Sequence, residues 1–102
     1  MILNKILDSK RQEVSERQTR RPWKALELSP GFSRECISLS ALLARDDQAG
    51  IIAEFKRKSP SKGAINAGAD AASVTRAYVQ AGASGVSVLT DGPFFGGSNA
   101  DL

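Results

Sequence analysis

The chain has 102 residues, room for one small domain, and its 41% hydrophobic and 25% charged residues are an ordinary globular balance. Its 14 Lys and Arg against 11 Asp and Glu leave a net charge of +3, which permits an anionic ligand but does not call for a nucleic acid. A single cysteine, Cys36, and no histidine exclude an internal disulfide, a Cys/His zinc site and any His-based nucleophile system, so acid–base work must fall to Glu, Asp, Lys or Tyr.

Residues 2 to 20 carry Leu3, Ile6, Leu7, Lys10 and Val14 at spacings that share one helical face. Glu13 with Arg17, and Glu16 with Arg20, are acid-before-base pairs four apart that support the helix, and Pro22 marks its end. No aromatics interleave the basic run from Lys10 to Arg21, so it reads as a solvated face and not a nucleic-acid patch. The N-terminus breaks its apolar positions with charges and lacks a signal-peptide core. No run approaches the roughly 18 apolar residues of a membrane span, which points to a cytoplasmic protein without a membrane partner.

Residues 22 to 38 hold Pro22, Pro30 and Gly31 without a clean period and read as loop, with Trp23 and Phe32 as packing anchors. Ser40 is a candidate cap for a short helix over Ala41–Ala44. Ile51 to Phe55 follows Gly50 and reads as a strand buried on both faces. The polar stretch 56–69, with Pro60, Gly63 and Gly68, reads as loop. Asp70 should cap a helix whose apolar face is Val74, Ala77, Tyr78 and Ala81 and which Gly82 stops. "GVSVLTD" is then a second strand. Strand, helix, strand predicts a parallel α/β unit with a right-handed crossover. The organisation expected is a helical extension and loop over 1–50, followed by the α/β part over 51–102. Ser98 and Asp101 have the spacing of a capping box with the shorter acid. A further helix is therefore expected to start there, and the chain to be a piece of a longer protein, because one turn of helix does not stand alone.

Chemistry concentrates in "IIAEFKRKSPSKG", residues 51 to 63. Side chains alternate along a strand, so Glu54 and Lys56 share one face while Ala53 and Phe55 take the other. Two readings stand on the residues alone. The pair either points into a cavity at the carboxyl end of a barrel strand, where active sites are built, or forms a surface ion pair on an edge strand. "KSPSKG" offers Lys58, Ser59, Lys62 and a close-approach glycine to an anion, but it lacks the order of a P-loop. "DGPFFGGS" places Phe94 and Phe95 after the second strand, either as an apolar wall for a ligand or tucked against the rim.

Taken in order, "IIAEFKRKSPSKG", "AGASGVSVLTD" and "FFGGS" resemble the indole-3-glycerol-phosphate synthase family of tryptophan biosynthesis, and "ILNKILDSKRQEV" resembles that family's helix before the first strand. The resemblance runs over essentially the whole chain. It implies the N-terminal portion of a (β/α)8 TIM barrel, truncated after its first βα units. It also implies a carboxy-lyase activity: ring closure, decarboxylation and dehydration of 1-(2-carboxyphenylamino)-1-deoxyribulose 5-phosphate, without metal or organic cofactor. By resemblance Glu54 helps hold the catalytic lysine and substrate hydroxyls, and Lys56 contacts the anionic substrate and is a candidate for proton transfer. Ser59 and Pro60 belong to the mobile first loop over the substrate, and Phe95 to the wall beside its anthranilate ring.

Such a barrel needs about 250 residues and eight strands. The family's general-acid lysine lies on its third strand, its general-base glutamate on its fourth, and its phosphate site near the seventh and eighth. These 102 residues are therefore expected to be inactive alone, and, with unpaired strand edges, only partly ordered or prone to associate. A monomer and a fusion with other tryptophan-pathway enzymes both remain open. The rival readings are another phosphate-binding barrel of the pathway, the phosphoribosylanthranilate isomerase, and a non-catalytic anion-binding module.

Overall fold

A computed structural model describes all 102 residues. They form two compact units, Met1–Ile37 and Ser38–Leu102.

The first unit is dominated by α1 (Ile2–Arg20). Glu13 takes both Lys10, at 2.6 Å, and Arg17, at 2.5 Å, so the first expected pair forms as a small network. The second does not form: Glu16 accepts from the Gln12 amide at 3.2 Å instead. The run is solvent-exposed apart from Lys10 and its partner Glu13, both half-buried. The helix stops at Arg20, just ahead of Pro22. Pro22 then opens a one-turn helix, α2 (Trp23–Glu27), within the stretch expected to be loop. Its fixed φ suits a helix start, and five residues are too few to show a period. Trp23 and Phe32 are not packing anchors within this unit, being 68% and 56% exposed. No residue of the unit is buried, so an aromatic ring finds nothing to pack under.

The second unit begins with α3 (Leu39–Leu43). Its cap is Ser38 and not Ser40: the Ser38 hydroxyl accepts from the Ala41 N–H at 3.2 Å. Ser38 has the extended backbone an N-cap requires, whereas Ser40 already lies inside the helix. Two parallel strands follow, β1 (Ile52–Phe55) and β4 (Gly85–Val88), in the register Ile52↔Gly85, Ala53↔Val86, Glu54↔Ser87, Phe55↔Val88. Between them come β2 (Lys58–Ser59), β3 (Gly63–Ala64) and α4 (Ala71–Gln80). The pair β2–β3 is an antiparallel hairpin inside the segment read as loop. Two-residue strands are too short for a visible alternation, which is why the pattern hid them.

Asp70 caps α4, its carboxylate accepting from the Ser73 N–H at 3.0 Å. Gly82, at φ +99°, supplies the left-handed residue after the helix end that a side chain would resist. The helix packs on both β1 and β4. The apolar core of the unit is Phe55 and Ala71. β1 is therefore buried on one face only. Ile52 stays 48% exposed because its face has little cover beyond Leu39 of α3, which leans into the space a side chain at Gly85 would fill. After β4 the chain closes on a 3-10 turn, Asn99–Asp101, with the capping box of Ser98 and Asp101 in place. No helix is long and apolar enough to cross a membrane.

Candidate functional site

The open face of β1 carries the chemistry. Glu54 and Lys56 lie together at the carboxyl end of the strand, with Lys56 Nζ 3.8 Å from Glu54 Oε1. The other carboxylate oxygen, Oε2, accepts from the Ser87 hydroxyl of β4 at 3.1 Å. The shared face follows strand alternation, and of the two arrangements the residues left open the pair here has that of a surface ion pair. The two side chains are 47% and 38% exposed, so the pair faces solvent rather than an enclosed cavity. An ion pair this open and this long adds little to stability, which leaves both charges available to a ligand. Ser87 carries no signal in the sequence by itself. It joins Glu54 only through the register of two strands 33 positions apart.

The opposite face is scaffold. Phe55 is 3% exposed, and the Arg57 guanidinium stands 5.1 Å from the centre of its ring. Arg57 also grips Asp101 with two parallel hydrogen bonds, 2.5 and 2.9 Å, and donates through Nε to the Ala69 carbonyl at 3.0 Å. Its own carbonyl accepts from the Ile65 and Asn66 N–H groups. One residue thus ties together the exit of β1, the entry to α4 and the final turn. Hydrogen bonding from Arg57, helped by the Ser98 N–H, holds the Asp101 carboxyl below the usual carboxylate range. Asp70 is lowered as well, chiefly by the Ser73 hydroxyl and N–H.

The "KSPSKG" stretch is the β2–β3 hairpin. Ser59 is buried and its hydroxyl accepts from the Lys62 N–H at 3.2 Å, so it shapes the turn. Pro60 is exposed at the tip, and Gly63 closes the turn at φ +65°. The Lys58 N–H donates to the Phe95 carbonyl at 3.3 Å, and the Lys58 stem crosses Gly96 where a Cβ would stand 3.1 to 3.4 Å from it. The hairpin and the loop carrying Phe94 and Phe95 are therefore neighbours. Both rings are half-buried, and both N–H groups donate to the Asp91 carboxylate, at 2.7 and 3.2 Å. Gly97 makes this fold of the loop feasible: a Cβ there would lie 1.9 Å from the Leu89 carbonyl oxygen.

An open groove of about 650 Å³ runs on the other side of the sheet, lined by Thr75, Val79, Val86 and Val88 among others, and none of the candidate residues lines it. No three Asp, Glu or Cys side chains converge as a metal ion would require. The site thus offers one carboxylate, one ammonium and one hydroxyl side by side. That set can hold an anionic or hydroxylated ligand and move a proton without histidine.

Fold and site together define an α/β chain whose charged groups gather at the carboxyl ends of parallel strands. The family model described as indole-3-glycerol phosphate synthase matches residues 3–102, and the chain belongs to that family. A relative named indole-3-glycerol phosphate synthase from Syntrophobacter fumaroxidans is 44% identical over 103 residues, covering 99% of this chain and 39% of the relative. Relatives of the same name from Bacillus cereus strain AH187 and Bacteroides thetaiotaomicron are 45% and 42% identical over 101 residues. Each match covers 99% of this chain and 36% and 38% of the respective relative. The chain therefore spans under two-fifths of the length of these curated relatives.

Proposed function

We propose that these residues are the first βα units of a (β/α)8 indole-3-glycerol phosphate synthase acting in the cytoplasm. The reaction closes the pyrrole ring of 1-(2-carboxyphenylamino)-1-deoxyribulose 5-phosphate with loss of carbon dioxide and water, without metal or organic cofactor. The observation that carries this reading is the juxtaposition of Glu54, Lys56 and Ser87 at the carboxyl end of two parallel strands, the end at which barrel enzymes build their sites. Lys56 binds the anionic substrate and takes part in proton transfer. Glu54 holds substrate hydroxyls and a catalytic lysine from a later strand. Phe95 lines the anthranilate ring, and the hairpin with Ser59 and Pro60 covers the substrate. Closing a ring onto a carbonyl needs an acid and the later dehydration needs a base, which is why one strand face carries both.

The test uses the full-length synthase, a protein of the relatives' length that carries these residues. Glu54→Gln and Lys56→Met should each lower kcat/KM for the phosphorylated substrate by roughly 100-fold or more, followed by the fluorescence of the indole product. Wild-type turnover in both variants would refute the assignment. The 102-residue chain by itself should show no turnover, because the reaction also needs residues from later strands.

A further inference from the structure

We infer that Ser87 is a positioning residue for this reaction: its hydroxyl fixes the orientation in which Glu54 meets the substrate. The inference rests on the proposed role of Glu54 and adds a residue to it. The Glu54 side chain is about half exposed and touches a different partner through each oxygen. Lys56 approaches Oε1 at 3.8 Å, too far for a hydrogen bond, so that contact attracts without fixing direction. The Ser87 hydroxyl donates to Oε2 at 3.1 Å and is the contact that sets the plane of the carboxylate.

Backbone pairing holds the two residues in place. Glu54 and Ser87 are register partners in parallel β1 and β4, so their side chains leave the sheet on the same side. The β1–β4 ladder fixes this register, and backbone bonds continue it past both ends, from the Ser84 N–H to the Ile51 carbonyl and from the Leu89 N–H to the Phe55 carbonyl. Val86 and Val88 flank Ser87 and point to the other face, toward the open groove. A third valine or a threonine would suit the strand as well as serine; the feature serine brings is a small side chain with a donor reaching the neighbouring carboxylate. Without that donor a three-torsion acid at a half-exposed position swings among rotamers, and the productive geometry becomes a fraction of its population.

The experiment compares Ser87→Ala, Ser87→Thr and Glu54→Gln, singly and as the Ser87→Ala/Glu54→Gln double variant, in the full-length synthase. Ser87→Ala should lower kcat on the order of tenfold with KM within about twofold, because the acid is misaimed while the anion contacts remain. Its thermal midpoint should stay unchanged. Ser87→Thr keeps the hydroxyl and should recover most of the rate. In the Glu54→Gln background Ser87→Ala should cost nothing further, since the two act as one unit. Wild-type kcat in Ser87→Ala, or no recovery in Ser87→Thr, would overturn the inference while a crippled Glu54→Gln leaves the proposed function standing. Full activity in Glu54→Gln would bring down that function instead.

Discussion

The two faces of β1 and of the segment leaving it divide the work of the molecule between neighbouring residues. Phe55 and Arg57 turn to one side, where the ring is buried and the guanidinium is locked onto Asp101, 44 positions away. Glu54 and Lys56 turn to the other, half exposed and only loosely paired. Arg57 and Lys56 are adjacent cations of equal formal charge, yet one is spent on architecture and the other stays half exposed beside Glu54. Charge type does not decide this. Strand alternation does, together with what each face meets.

The contrast can be broken most forcefully at Phe55. Phe55→Ala in the full-length synthase should cost about 3–5 kcal/mol in denaturant unfolding, the range for emptying a buried aromatic site. A loss under about 1 kcal/mol would mean that this face is not the scaffold. Next comes the cation swap. Arg57→Met should lower the thermal midpoint by several degrees, since it leaves the Asp101 carboxylate without its cation and removes the tie to Ala69. Lys56→Met should hardly move it, although kcat/KM falls by roughly 100-fold or more. Equal thermal effects from the two variants would erase the distinction between the faces.

Acid sharpens the same point. The Asp101 and Asp70 carboxyls lie below their ordinary values when folded. A depressed carboxylate contributes stability above its unfolded value and loses it as pH falls through the folded one. Their contribution is thus complete above roughly pH 5 and fades below about pH 4, which circular dichroism along an acid titration would follow. Asp101→Asn should flatten part of that acid limb, and an unchanged limb would show that the clasp carries no stability. The smallest effect belongs to α1. Glu13→Gln removes the shared partner of Lys10 and Arg17 and should cost only a few tenths of a kcal/mol, the scale of an exposed helical pair.

Much of the α/β part was legible in the letters. The cap at Asp70, the stop at Gly82, the parallel strand pair and the capping box at Ser98 follow from local rules and stand as read. The misses share a cause. The β2–β3 hairpin and α2 are shorter than any period that could announce them. Ser38 won the cap from Ser40 through backbone geometry that two serines on the same short stretch do not reveal. Arg57 sat unnoticed between two lysines because its partner, Asp101, lies beyond a hairpin, a helix and a strand.

By itself the sequence determined that Glu54 and Lys56 share a face, that two strands run parallel around a helix, and, through its motifs, which family the chain joins. Those are matters of period, local backbone preference and the order of elements and motifs along the chain, which are read without knowing which side chains meet. Only the tertiary structure decided that Ser87 meets Glu54, that Arg57 clasps Asp101, and that the Phe95 loop lies against Lys58. Each of these joins residues more than 30 positions apart, and such meetings depend on strand register and loop closure, which no local stretch of chain encodes.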